Sequence, residues 1–211
     1  MFFTILFDRA WEILDQNRRA YIVINTVFYG VMIVLMIFAV FDQPLQIAML
    51  KNGNDSLATG SLALYGKGYD VGTIFKDTVL MNVGNLLGTS FGLISLPSFI
   101  IPFLGLLTGA EHAFEWGMLF SPANPAVRPA MIMHWLALVI EGQAYTLAML
   151  GAYVHGREVI WPGTVGLKSH WRGYVEGVRQ TGTLYMLIMV VLVVSALYGL
   201  IEYAVMSQFL S

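Results

Sequence analysis

No cysteine occurs among the 211 residues, which excludes disulfides, thiolate metal sites and a cysteine nucleophile together. Charge is scarce as well: 11% of the residues are Asp, Glu, Lys or Arg, against about 25% in soluble domains. So few cannot give a globule a water-compatible surface. The net charge of -2 leaves no basic field for nucleic acid. The HExxH zinc helix and the Walker and dinucleotide glycine loops are missing, as is the Gly-x-Ser-x-Gly elbow. Ser95 and Ser98 lie in apolar runs without a histidine partner. Nothing points to an enzyme, and no cofactor is called for.

What the chain has is apolar length. Hydrophobic residues make up 57% of it, and the mean hydropathy is +0.70. About 20 apolar residues cross the hydrocarbon core of a bilayer. The run 21–41 carries no charge and only Asn25 as a strongly polar member. It exceeds a signal-peptide core and lacks a small-residue cleavage pattern, so it reads as a retained span. The stretch 78–120 is too long for one span and suits two. Pro97 and Pro102 supply the break, because each disfavours helix in the residue before it. The loop SPANPAVRP comes next, and two further apolar runs close the chain.

The expected fold is therefore all-α: a polytopic membrane helical bundle of about five transmembrane helices. The spans fall near 21–41, 78–96, 102–120, 130–153 and 183–206, in a single domain over 21–211. At 1–20, Phe3, Phe7, Ala10, Trp11 and Leu14 recur at helical spacing, with charges largely on the other faces. This predicts an amphipathic helix lying in the membrane interface. The segments 42–76 and 156–181 are the polar excursions. Within the second, Ser169 is placed to cap a short amphipathic helix carrying Trp171, Tyr174, Val175 and Val178. Aromatic residues, 13% of the chain, gather near the span ends as an interfacial belt does.

Basic residues near span ends set orientation. Arg9, Arg18, Arg19, Arg157, Lys168, Arg172 and Arg179 fall on one side of a five-span chain, and Lys51, Lys67, Lys76 and Arg128 on the other. The bias puts the N-terminus in the cytoplasm and the C-terminus outside, in the cell membrane of a prokaryote.

Ionisable groups inside spans each demand a reason, since a charge at mid-bilayer costs at least a few kcal/mol. Glu111, His112 and Glu115 fall within the third span, His134 and Glu141 within the fourth, and Glu202 within the fifth. No basic residue inside a span neutralises them. Glu111 and Glu115 share a helix face at four residues apart, His112 and Glu115 are neighbours at three, and His134 and Glu141 lie two turns apart. Such a set suits a cation path, a proton relay or a transition-metal site. Equally, protonated glutamates serve as interhelical glue, and His112 and His134, with incomplete ligand sets, read as packing histidines. The metal question stays open. Asn82 and Asn85 read as interhelical hydrogen-bonders. Gly84, Gly88 and Gly92, with Gly105 and Gly109, have the four-residue spacing that lets helices approach closely, which suits a tight hairpin between the second and third spans.

Three stretches resemble the stage II sporulation protein M family of small multi-span membrane proteins. VLMNVGNLLG is similar to the family's asparagine-containing start of its second span and places Asn82 and Asn85 there. IEGQAYTLAMLGAYVHGR is similar to its stretch of glutamate, small residues and glycines, with Glu141 and Ala144 on the motif. SALYGLIEYAV is similar to its closing helix and carries Glu202. The family's Pro-His-Gly before the fourth-span glutamate is missing, and the preceding histidine here is His134, so no role passes to it. The resemblance implies a component of a membrane assembly: the sporulation member works with partners that remodel peptidoglycan and is not the hydrolase.

Three functions are compatible with these features. The first is a non-enzymatic scaffold or assembly subunit, homo-oligomeric or bound to other membrane proteins in the lipid bilayer. The second is a cation or proton channel or transporter lined by Glu111, Glu115 and Glu141. The third is an intramembrane metalloenzyme on His112, Glu115, His134 and Glu141.

Overall fold

Asn17 divides what would otherwise be one N-terminal helix into two. Its side-chain Nδ2 donates to the carbonyl of Ile13 at 2.8 Å, a local alternative to the helical ladder that asparagine readily offers. Helix α1 (Phe2–Gln16) stops there, and α2 (Arg18–Phe41) starts afresh. The computed structural model describes residues 2–42, 44–45, 72, 76, 101–121 and 131–210. After α2 these residues form α3 (Leu104–Leu119), α4 (Met131–Ile160), a 3₁₀ turn (Pro162–Val165) and α5 (His170–Leu210). Among the described residues every regular element is helical.

Three stretches, Arg18–Phe41, His134–Ile160 and His170–Glu202, are long and apolar enough to cross a bilayer. The chain is a helical membrane protein. On α2 the division of faces is plain: Ile24, Phe28, Met32, Met36 and Ala39 form one buried stripe. Ile22, Val23, Val27, Val34 and Ile37 stay exposed on the other side, a contiguous apolar surface that water does not tolerate and lipid does.

The bundle has a clear direction. α4 and α5 form an antiparallel hairpin, with Gly151 beside Thr181 near one end and His134 beside Glu202 at the other. α3 also runs antiparallel to α4: Phe103 packs on Gly156, Gly109 on Met149, and Phe120 on His134. α2 is parallel to α3, with Phe28 against Trp116 and the hydroxyl of Ser121 donating to the carbonyl of Met36. The guanidinium of Arg157 donates to Asn17 Oδ1 at 2.8 Å. The α1–α2 elbow therefore sits at the end where α4 turns into α5, here called the hairpin end, and α1 packs there along α5.

Several expectations change. The third expected span, 102–120, is the 16-residue helix α3, about 24 Å long and shorter than a usual crossing. The second, 78–96, with Asn82, Asn85, Gly84, Gly88 and Gly92, lies outside the described residues. Gly109 approaches α4, where an added Cβ would run into the Met149 side chain. The fourth span does not stop at 153 but continues to Ile160. The short helix expected after Ser169 is no separate element, because α5 runs unbroken from His170 to Leu210. The cap itself is present: the Arg172 N–H donates to Ser169 Oγ at 3.3 Å. The polar composition of 156–181 reads as a connection, yet Gly173 and Gly177 let α5 press directly against α4. That packing outweighs glycine's helix cost of about 1 kcal/mol each. At 1.5 Å per residue α4 is about 45 Å long and α5 about 60 Å. The hydrocarbon core is only about 30 Å thick.

Candidate functional site

At the end of the bundle away from the hairpin, His134 Nδ1 and Glu202 Oε1 lie 2.9 Å apart, with the Glu202 side chain 2% exposed. α4 supplies the imidazole and α5 the carboxylate. The Phe120 ring, at the C-terminal cap of α3 and 4.6 Å from the imidazole, closes the site from a third side. Glu141, two turns along α4, is within electrostatic reach of His134. Tyr145, one turn further, is within reach of both Glu141 and Glu115. His112 stacks edge-on against Tyr145 at 4.7 Å and lies 3.6 Å from Glu115. Five of the six ionisable residues singled out from the sequence thus form one string: His112 and Glu115 on α3, Glu141 and His134 on α4, Glu202 on α5. Glu111 does not join it, since its side chain is exposed on the outer face of α3.

The string does not continue to the hairpin end. Tyr145 and His155 are ten positions apart on α4, about 15 Å. Leu150, Val154, Leu184 and Ile188 fill that depth, each fully buried. Thr146, Thr181 and Tyr185 are buried at the same depth. No three His, Asp or Glu among the described residues gather closely enough to hold a metal. The metal set expected from His112, Glu115, His134 and Glu141 is therefore spread along the string and does not converge on one point.

Two polar clusters were not legible beforehand. Gln143 on α4 accepts from the Tyr21 hydroxyl at 2.7 Å and donates to Asn25 at 3.1 Å and to Tyr29 at 2.8 Å. Tyr29 in turn donates to the carbonyl of Val139, and Gly142 leaves room for its hydroxyl. The sequence signal was there: Tyr21, Asn25 and Tyr29 recur every four residues. Interhelical hydrogen bonds in membranes contribute about 0.6 kcal/mol each on average, so Gln143→Leu is expected to cost about 1–2 kcal/mol. Thermal melts in mild detergent measure this, and an unchanged midpoint would show that the network holds nothing together.

The second missed cluster is at the hairpin end. His155 and Glu158, three apart on α4, are 0% and 1% exposed. Both ring nitrogens of His155 and Oε2 of Glu158 lack hydrogen-bond partners. Glu158 Oε1 accepts from Gln180 of α5 at 2.8 Å. The His155 ring faces Gly177 and lies 5.1 Å from the Tyr174 ring, which stacks on Trp171 at 5.5 Å. This is a second His-x-x-Glu pair, spaced like His112 and Glu115, and its position past an apolar run made it read as connection.

The chain matches no family model, no curated protein and no solved structure.

Proposed function

We propose that this protein is a non-enzymatic membrane subunit that holds partner proteins through a packed helical layer at its hairpin end. The supporting observation is the length of the α4–α5 hairpin. With the His134–Glu202 pair placed at one hydrocarbon boundary, about 30 Å of bilayer ends near residues 154 and 182. What lies past that boundary is not loose chain. α1, the ends of α4 and α5, and Arg157 bonded to Asn17 form one layer. It presents Trp11, Trp161 and Trp171 outward, the aromatic type that anchors both interfaces and protein contacts. The basic residues Arg9, Arg18, Arg19, Lys168 and Arg172 are exposed in the same layer. Their position favours a cytoplasmic hairpin end in a prokaryotic cell membrane, an external C-terminus, and α1 lying along the interface. α2 ends and α3 begins at opposite ends of the bundle. This is why we keep 78–96 as a span, for about five in all. An assembly role also agrees with the resemblance to the stage II sporulation protein M family.

Conduction is favoured by the string from Glu115 to Glu202 and opposed by the fully buried Leu150, Val154, Leu184 and Ile188 beyond it. Proteoliposomes separate the two readings. Wild type is expected to pass no cation or proton above empty liposomes across several ions and pH values. Glu141→Gln and Glu111→Gln are expected to fold and behave alike. Flux that Glu141→Gln abolishes, with the fold intact, would overturn the scaffold reading and trace the path.

A further inference from the structure

The orphaned polar atoms at the hairpin end have no place in the string from His112 to Glu202, and they lie beyond the layer of Leu150, Val154, Leu184 and Ile188. A neutral imidazole always carries one N–H to be placed and one lone pair to be filled. In His155 neither nitrogen has a partner, although the side chain is wholly buried. Glu158, one turn on, has an equally buried oxygen without a donor. Buried polar groups in folded proteins are nearly always paired, so two such residues one turn apart, pressed into the same face of α5, call for an explanation. Packing supplies part of it. Gly173 approaches the backbone of Glu158, and Gly177 approaches the ring and Cα of His155, which leaves no gap for a bridging side chain.

We propose that His155 and Glu158 form a proton-operated latch that sets how tightly the α4–α5 tip is closed. The inference rests on the docking-layer reading and gives that layer its regulation. In the closed tip the imidazole is neutral, because the slot between Tyr174 and Gly177 offers an added proton no acceptor. A second proton on the ring places a cation with two N–H groups in that slot. The surrounding groups decide where this cation turns. On α4, Arg157 adds positive charge, and Glu158, one turn away, keeps an oxygen that accepts a hydrogen bond even when the carboxyl is protonated. On α5, Glu176 is held by Arg179 and Gln180, and Tyr174 presents its ring. His170 is bonded to the carbonyl of Val159 at 2.6 Å. On α1, Asp8, Arg9, Glu12 and Asp15 are exposed, as are Arg18 and Arg19 on α2. Phe103, ahead of α3, packs on Gly156 without contributing charge. Glu158 is thus the acceptor open to the imidazolium. Reaching it draws the ring off Gly177 and releases Tyr174, and the Trp171 stacked on Tyr174 moves with it. Acidification opens the tip, and return to neutral pH closes it.

Trp171 reports this directly in the purified, full-length protein. Its signal is the difference in fluorescence between wild type and Trp171→Phe, titrated from pH 8 to 3 in detergent, with far-UV circular dichroism recorded alongside. The expected result is one reversible step in the Trp171 signal with the helix content unchanged. The step should vanish in His155→Gln and in His155→Phe, whose apolar ring fills the slot and guards against misreading a folding failure. A flat wild-type titration, or a step that survives in both variants, would overturn the latch. The measurement involves no partner, so it stands or falls separately from the docking role, which the flux assay addresses.

Discussion

Replacing His134 by leucine is expected to destabilise the protein by about 3–5 kcal/mol, the usual cost of breaking a buried pair by removing one member. The carboxylate of Glu202 is 2% exposed and 2.9 Å from the imidazole. Without that ring it stays buried and loses its imidazole partner. The expected result has a second half that distinguishes pairing from packing. Buried ion pairs exchanged whole for apolar residues of similar volume are often neutral or stabilising. The double variant His134→Leu with Glu202→Met should therefore recover most of the loss, a coupling of several kcal/mol in a double-mutant cycle. Reversible unfolding in mild detergent supplies the four free energies. A single-variant cost below about 1 kcal/mol, in the range of an exposed ion pair, would show that the pair does not hold α4 to α5. If the double variant also retains the protein's assembly behaviour, the pair is structural glue and not part of a proton path.

The second large effect belongs to Gly173. An alanine there would put its Cβ on the carbonyl oxygen of Glu158, with the backbone nitrogen of Val159 close behind. A backbone carbonyl cannot rotate aside as a side chain can, so the two helices have to separate. Overpacking a well-filled site costs about 1–3 kcal/mol and occasionally more. We expect Gly173→Ala at or above the upper end of that range. Gly199 on the same helix is the internal control, since an added Cβ meets nothing within 4 Å. There the ordinary helix preference for alanine should stabilise the protein by about 0.5–1 kcal/mol. Thermal melts of the two variants should shift in opposite directions. Equal shifts would mean that α4 and α5 do not meet as closely at the hairpin end as the structure has them.

The class of the protein was legible in the chain because it depends on sums over many residues. Charge content, apolar run length and the lack of cysteine and catalytic motifs are properties of composition. They were enough for an all-helical membrane protein with its N-terminal amphipathic helix and the Ser169 cap. The basic residues of 1–19 and 157–179 were grouped by counting crossings, and the Asn17–Arg157 bond brings those two segments together. Tertiary structure alone decided where the helices end and which polar groups meet. α4 and α5 run on through polar sequence because Gly173 and Gly177 bury that sequence against a partner helix, and burial against a neighbour leaves no period in either segment. His134 and Glu202 are 68 residues apart in sequence, and only the antiparallel run of α4 and α5 makes them a pair. His155 and Glu158 look like a solvated turn when read in line. They become a buried polar core because the close approach of two glycines removes the water that a single helix would have kept.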